Sequence, residues 1–268
     1  MNHMLILGQG YTGTRLAEHL RARGWQVTGV RRVAEHGVLA MDDAQGVMAA
    51  IGSATHILSS VPPADGGDPV LARYGNAIIG SPARWVGYLS STGVYGDTRG
   101  AWVDESAPVG GGRRNDRARA DTDWQALRGD MRVFRLPGIY GPGRSALDRV
   151  QQGTARRIAL PDQVFSRVHV DDIVSGIMAS MSGPAGIYNL ADDLPCGQNA
   201  VIEAACDLAG LPWPILQTLE QAELSPQAEA FYAENRRVAN GRARRLLGWV
   251  PQYPTYRDGL AAIHGYGL

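Results

Sequence analysis

The stretch LILGQGYTG carries glycines at positions 8, 10 and 13, a G-x-G-x-x-G spacing. Gly8 permits a tight turn, Gly10 lets the backbone approach a pyrophosphate, and Gly13 lets a following helix pack against the preceding strand. Tyr11 and Thr12 sit inside the turn, where free N–H groups and the positive end of a helix dipole favour phosphate. Some twenty residues on stand Arg31 and Arg32, with no acid before Glu35. An arginine fork binds a 2′-phosphate that a carboxylate would repel, so the expected cofactor is NADP, with NAD as the second choice. The stretch GGRRNDRARAD, residues 111–121, adds Arg113, Arg114, Arg117 and Arg119. All 26 basic residues of the chain are arginine. No side chain here can act as a lysine that gives up its proton or forms a Schiff base.

These groups need elements to hold them. His3 to Leu7 reads as a short buried strand, Leu16, Ala17 and Leu20 recur at helical spacing, and WQVTGV reads as the next strand. Further strands are expected at Thr55–Ser60, in ARWVGYLSS ending near Ser90, and at Met131–Leu136, with helical stretches between them. That alternation predicts an α/β fold with a doubly wound parallel sheet. In such sheets the site lies beyond the carboxyl ends of the strands, which is where Ser59, Ser60, Val61, Ser90, Ser91 and Pro137 fall. The expected division is a dinucleotide-binding domain over 1–183, whose segment of about 138–168 also serves the substrate lobe, and a small substrate lobe over 184–268.

Composition narrows the remaining classes. Hydrophobic residues make up 44% of 268, enough for a packed core, and the formal charge is zero. Such a balance gives no reason to expect nucleic acid or a membrane surface as partner. Cys196 and Cys206 show no metal-binding spacing, so no metal site is expected. The opening residues enter a strand at once and no apolar run approaches a membrane span, so the expected location is the cytoplasm.

Read together, ILGQGYTG, LSSTGVYGD (89–97), FRLPGIYGPGR (134–144), RVHVDDI (167–173), YNLADD (188–193) and RRLLGWVPQYPTYRDGL (244–260) resemble, in this order, the extended short-chain dehydrogenase/reductases, the NAD-dependent epimerase/dehydratase family. The G-x-G-x-x-G start is similar to that of atypical members. The resemblance implies a Rossmann-type sheet with a small C-terminal substrate lobe. It also implies a Ser/Thr, a Tyr and a Lys that handle the proton accompanying hydride transfer. Ser91, four residues before Tyr95, matches the Ser/Thr. If Asp121 is the acid that follows the Lys by four residues, Arg117 takes the Lys position and Arg113 the Tyr position. Arg117 supplies a positive charge, but Arg113 cannot supply a phenol. Tyr95 and Tyr140, both after strand ends, are then the candidate phenols. Arg113 and Arg144 are candidate substrate-binding cations, with Arg236 and Arg237 as further positions where relatives hold phosphates. For His169, Asp171 and Asp172 a structural role is expected, and Trp249, Leu246 and Leu260 are expected as core of the C-terminal lobe.

The expectation is an NADP-dependent oxidoreductase or epimerase/dehydratase-like protein lacking the Tyr-x-x-x-Lys pair. It would act on a small molecule, nucleotide-linked or anionic, as a monomer or homodimer. The competing reading is a non-catalytic NADP-binding sensor.

Overall fold

The computed structural model describes the chain except residues 36, 65, 112–114, 225–228, 230, 231 and 266–268. Strand β1 (His3–Leu7) is apolar at nearly every position, as a strand covered on both faces must be. Met4 and Ile6 point into one core, with Leu16, Leu20, Phe134 and Ile177. Leu5 and Leu7 point into the other, with Ile51, Tyr74, Val86 and Trp124.

Around β1 the chain builds β2 (Gln26–Arg31), β3 (Val38–Ala40), β4 (His56–Ser59), β5 (Trp85–Ser91), a short pair strand β6 (Trp102–Val103), β7 (Met131–Leu136), β8 (Gly138–Tyr140), β9 (Arg157–Ile158), β10 (Arg167–His169) and β11 (Gly186–Asn189). Seven of them form one parallel sheet in the order β11-β7-β5-β4-β1-β2-β3. Helices α1 (Tyr11–Arg21), α2 (Ala44–Ser53), α3 (Pro69–Ile79), α4 (Asn115–Leu127), α5 (Ala146–Gln151), α6 (Val170–Ser180) and α7 (Gln198–Ala209) cross between strands or cover them. This is the doubly wound sheet expected, and the short pairs β8–β10 and β6 with Arg237–Val238 belong to added C-terminal structure. The division expected at 183/184 passes just ahead of β11, which pairs with β7 in the central sheet.

The strand order runs outward from β1 through β2 and β3, then restarts on the other side at β4. The crevice between the ends of β1 and β4 is therefore the topological switch point, where ligands of open α/β sheets bind.

The C-terminal segment is tied down by carboxylates and a tryptophan. Asp172 accepts from the N–H groups of Gln252 and Tyr253, at 2.5 and 3.1 Å, so its role is anchoring as well as favouring the start of α6. Trp249 donates from Nε1 to the Asp172 carbonyl. Trp249 and Leu260 are core as expected; Leu246 is exposed, and its neighbour Leu247 packs inward instead. The helix Gly241–Leu247 is rotated by one residue from the expected face. Among the described residues, no helix is long and apolar enough to cross a membrane, and no His/Cys/Asp/Glu cluster is placed to hold a metal.

Candidate functional site: a glycine turn at the sheet switch point

Gly8 closes β1 at φ +88°, a left-handed conformation suited to glycine. A Cβ there would lie 2.8 Å from Val61 Cγ2 and 2.9 Å from Val61 N, so the turn after β1 and the segment after β4 touch backbone to backbone. A Cβ at Gly13 would press on Ile6 Cγ2 at 3.1 Å, which is how closely α1 lies on β1. Gly10 differs: a Cβ would meet nothing closer than the Gly8 carbonyl at 4.0 Å, and the residue is exposed. Protein packing does not demand a glycine there, and that side of the turn is open.

The start of α1 fits the same purpose. Its N-cap, Gly10, offers no side-chain hydrogen bond, and its first turn holds no acid. Helices α2, α3 and α5 are capped by Asp43, Asp68 and Ser145, whereas α7, like α1, starts on a glycine, Gly197, with no side-chain cap. An uncapped N-terminus keeps its N–H groups and dipole for an anion. Gly10, Tyr11 and Thr14 line a groove of about 400 Å³ with Arg15, Arg31 and Pro142. The Tyr11 hydroxyl donates to the Pro142 carbonyl at 3.0 Å, and the Arg144 guanidinium lies 5.6 Å over its ring. Burial pushes the Tyr11 phenol up to about 12, so it stays protonated. Thr12 is buried in the first turn.

Several sequence-derived site residues lie elsewhere. Ser59 is fully buried in β4 with its Oγ unpartnered; beyond it Ser60 donates to the Gly8 carbonyl and Val61 lies against Gly8. Ser90 also turns inward, donating to Asp121 Oδ2 at 2.5 Å. It joins a buried network in which Arg135 forks onto Asp121 at 2.8 and 3.1 Å and donates to the Tyr95 hydroxyl at 3.1 Å. That hydroxyl in turn donates to Asn189 Oδ1 at 2.7 Å. Burial raises the Tyr95 phenol. Tyr140 is also packed: its ring edge meets His169, its hydroxyl faces the Thr255 carbonyl at 3.4 Å, and burial pushes its phenol far up. Both candidate phenols are thus occupied inside the fold: Tyr95 links Arg135 to Asn189, and Tyr140 is wedged against Gly259 with its hydroxyl on the Thr255 carbonyl.

Ser91 is half-buried at the end of β5, where its Oγ accepts from the Gly93 N–H and keeps its own proton to donate. Arg117 lies half-buried on α4, one turn before Asp121, and its charge is felt by the Tyr88 phenol of β5. Arg113 lies outside the described residues. Arg236 and Arg237 are engaged within the fold: Arg236 bonds the Gly96 carbonyl and Glu234, and Arg237 bonds the Gly100 carbonyl. His169 is a buried core residue whose Nδ1 accepts from the Asp171 N–H.

Pro137 leads from β7 into a second cleft of about 380 Å³, floored by Gly138–Tyr140 and walled by α5, β10 and the start of α7. Arg144, Arg149 and Arg167 line it. Only Arg144 was singled out in the sequence. Arg149 and Arg167 are separated by eighteen positions and come to line one cleft only through the tertiary fold, in which α5 packs on α7.

The sheet, the glycine turn at its switch point and the added C-terminal structure give this chain the fold seen in solved nucleotide-sugar epimerases and dehydratases, such as the UDP-glucose 4-epimerase of Thermotoga maritima, 15% identical with a TM-score of 0.76 over 100% of this chain and 98% of that one. A functionally unknown conserved protein from Silicibacter pomeroyi DSS is 40% identical over 99% of both chains, with a TM-score of 0.88. A 3-diazoavenalumate denitrifying reductase of a Streptomyces species is 33% identical over 181 residues, but that stretch spans only 58% of the relative's length. Protein YeeZ of Escherichia coli K12 is 28% identical over 244 residues, 80% of this chain and 86% of that protein. No protein-family model matches the chain.

The expected preference for NADP is corrected. MoeE5, 19% identical with a TM-score of 0.75 over 100% of this chain and 99% of its own, was solved with UDP-glucuronic acid and NAD. The fold itself takes either cofactor, since the human epimerase family protein SDR39U1, also 19% identical, was solved with NADPH. The end of β2 therefore carries the decision. Arg31 there is bonded to the Gln9 carbonyl, to Thr14 Oγ1 and to the Glu35 carboxylate, while Arg32 is exposed. The fork is occupied, and the carboxylate beside it would repel a 2′-phosphate but can accept from a ribose 2′-hydroxyl.

Proposed function

We propose that this chain is an NAD(H)-binding oxidoreductase or epimerase/dehydratase-like enzyme that acts on a small molecule without a Tyr-x-x-x-Lys pair. The observation that carries the reading is the uncapped start of α1 behind a turn whose Gly10 side is left open by the protein. Gly8, Gly10, Tyr11, Thr12 and Gly13 would hold the pyrophosphate, with Val61 and Pro137 bordering the cofactor and Glu35 near its ribose. Residues 1–183 together with β11 would form the dinucleotide-binding part and the rest the substrate lobe. Bound nicotinamide supplies the hydride acceptor or donor. Ser91 donates a hydrogen bond to the reacting oxygen of the substrate, and Arg117 adds positive charge behind it. Neither arginine nor a packed phenol can release a proton here, so the proton is exchanged with water held at Ser91.

The test is NADH binding by calorimetry, followed by NADH oxidation against a panel of carbonyl compounds. The reading expects binding and a turnover lost in Ser91→Ala. Turnover that is equal in the variant opposes it. The packed phenols favour one alternative, a cofactor-binding sensor. It predicts NADH binding with no turnover and a partner whose affinity changes with cofactor, reciprocally.

A further inference from the structure

The cleft beyond Pro137 carries more positive charge than the fold neutralises. Arg167 is buried, and the acceptors of its side-chain hydrogen bonds are all neutral: the Phe165 and Cys196 carbonyls at 2.9 and 3.2 Å, Cys196 Sγ at 3.3 Å and Gln198 Oε1 at 3.0 Å. The acid that feels its charge, Asp192, is pushed up to about 7 by burial and compensates it only in part. Arg149 reaches the same cleft from α5. Arg149 is exposed on that helix, yet crowding of its guanidinium lowers its pKa; the Tyr232 phenol beside it acts the other way, and the like charge of Arg167 lowers it again. The carboxylate lining the cleft, Asp148, already accepts from the N–H and Oγ of Ser145 at 2.6 and 2.5 Å to cap α5. Arg167 is buried with no acid among its hydrogen-bond acceptors, while Arg149 stands at the exposed edge of the same cleft, so an anion held between them would offset the buried charge. An apolar stretch of the wall, from Phe165, Val201, Tyr256 and Leu260, lies beside the polar Gln152, Ser166 and Gln198.

We propose that this cleft binds the carboxylate of a small organic acid, its anionic end between Arg149 and Arg167 and its apolar body against Phe165, Val201 and Tyr256. The inference rests on the reading above only in naming that site's substrate class, because binding is measured without turnover. A carboxylate matches the planar fork of arginine, and the apolar stretch of Phe165, Val201, Tyr256 and Leu260 suits a hydrocarbon or aromatic body.

The experiment is a ligand-observed NMR titration of the full chain with benzoate, hexanoate, inorganic phosphate and UDP. It is repeated on Arg149→Gln, whose altered side chain is exposed on a short helix, and on Arg149→Lys. Thermal unfolding and an NADH titration accompany each variant. The proposal expects benzoate or hexanoate to bind the native chain at least tenfold more tightly than phosphate or UDP. It expects at least a tenfold loss in Arg149→Gln, partial recovery in Arg149→Lys and unchanged NADH binding. Failure of both carboxylates to bind, carboxylate binding indifferent to Arg149→Gln, or tighter binding of phosphate or UDP overturns it. Should Arg149→Gln unfold, the Lys variant and the order of the four ligands on the native chain decide. Carboxylate binding in a chain that does not bind NADH would keep this inference and remove the cofactor reading.

Discussion

Asp121→Leu should unfold this protein far more easily than its single lost charge suggests. The carboxylate is fully buried, and the Arg135 side chain it holds is 2% exposed. Asp121 accepts the Arg135 fork, the Ser90 hydroxyl and the Gln125 amide. Removing it strands a guanidinium in the core and leaves two further donors without their acceptor. Breaking one side of a buried pair costs about 3–5 kcal/mol. Arg135→Met removes the opposite charge and leaves Asp121 with two donors, for a cost in the same range of about 3–5 kcal/mol. The double variant places two apolar side chains where the pair stood, and Tyr95 keeps its bond to Asn189. Its loss should therefore be smaller than the sum of the singles by at least about 2 kcal/mol, a coupling within the range of contacting residues. Urea unfolding of the native chain and the three variants reads this directly. Single losses below about 1 kcal/mol, or singles that add to the double within about 0.5 kcal/mol, would refute the claim that this network is one unit.

Three more outcomes follow from particular atoms. Gly8→Ala puts a methyl at φ +88° against the Val61 backbone, and should cost about 1–3 kcal/mol while weakening NADH binding more than tenfold; native-like binding in a calorimeter would contradict the turn geometry. Tyr95→Phe should lower the unfolding midpoint but leave any measured turnover within a factor of two, since its hydroxyl serves Asn189 and Arg135; selective loss of turnover in a stable variant would make Tyr95 catalytic after all. Asp192, its ordinary value raised from 3.8 to about 7 by burial, holds its proton more tightly folded than unfolded, so its contribution to stability is full below about pH 4 and is lost as pH rises to 7. Asp192→Asn should therefore gain on the native chain between pH 5 and pH 8 in thermal unfolding, and an equal offset at both would show the carboxyl titrates normally. His56 and His169, both pushed down to about 4 by burial, act in the opposite direction, so the difference between variant and native chain, not the native profile, isolates Asp192.

The sequence shows local order well and long-range pairing poorly. The bounds of β1 and β7 and the glycine turn were legible, because apolar runs and glycine spacing are local signals. Whether Ser59 and Ser90 face the groove was not, since strand alternation fixes opposite faces without naming the one that meets a ligand. Arg31 and Glu35 are four residues apart in a loop, where no helical spacing advertises a pair; only the turn after β2 brings them together. The Asp121–Arg135–Tyr95–Asn189 chain joins α4, β7, the turn after β5 and β11. It spans separations of up to 94 residues and depends on the sheet order. Arg149 and Arg167 escaped notice for the same reason. Asp121 itself was read as an acid on the helix that follows the glycine loop, and its place there stands.

The central claim is that the groove over the glycine turn binds NAD(H) and that the Arg31–Glu35 pair turns it away from the 2′-phosphate. The most direct measurement is a calorimetric titration of the full chain with NADH and NADPH, repeated on Glu35→Ser. NADH should bind more tightly than NADPH, and freeing Arg31 in the variant should narrow that gap by roughly tenfold or more, the worth of one charge-assisted hydrogen bond. Binding of neither cofactor, or tighter NADPH binding by the native chain, would contradict the account.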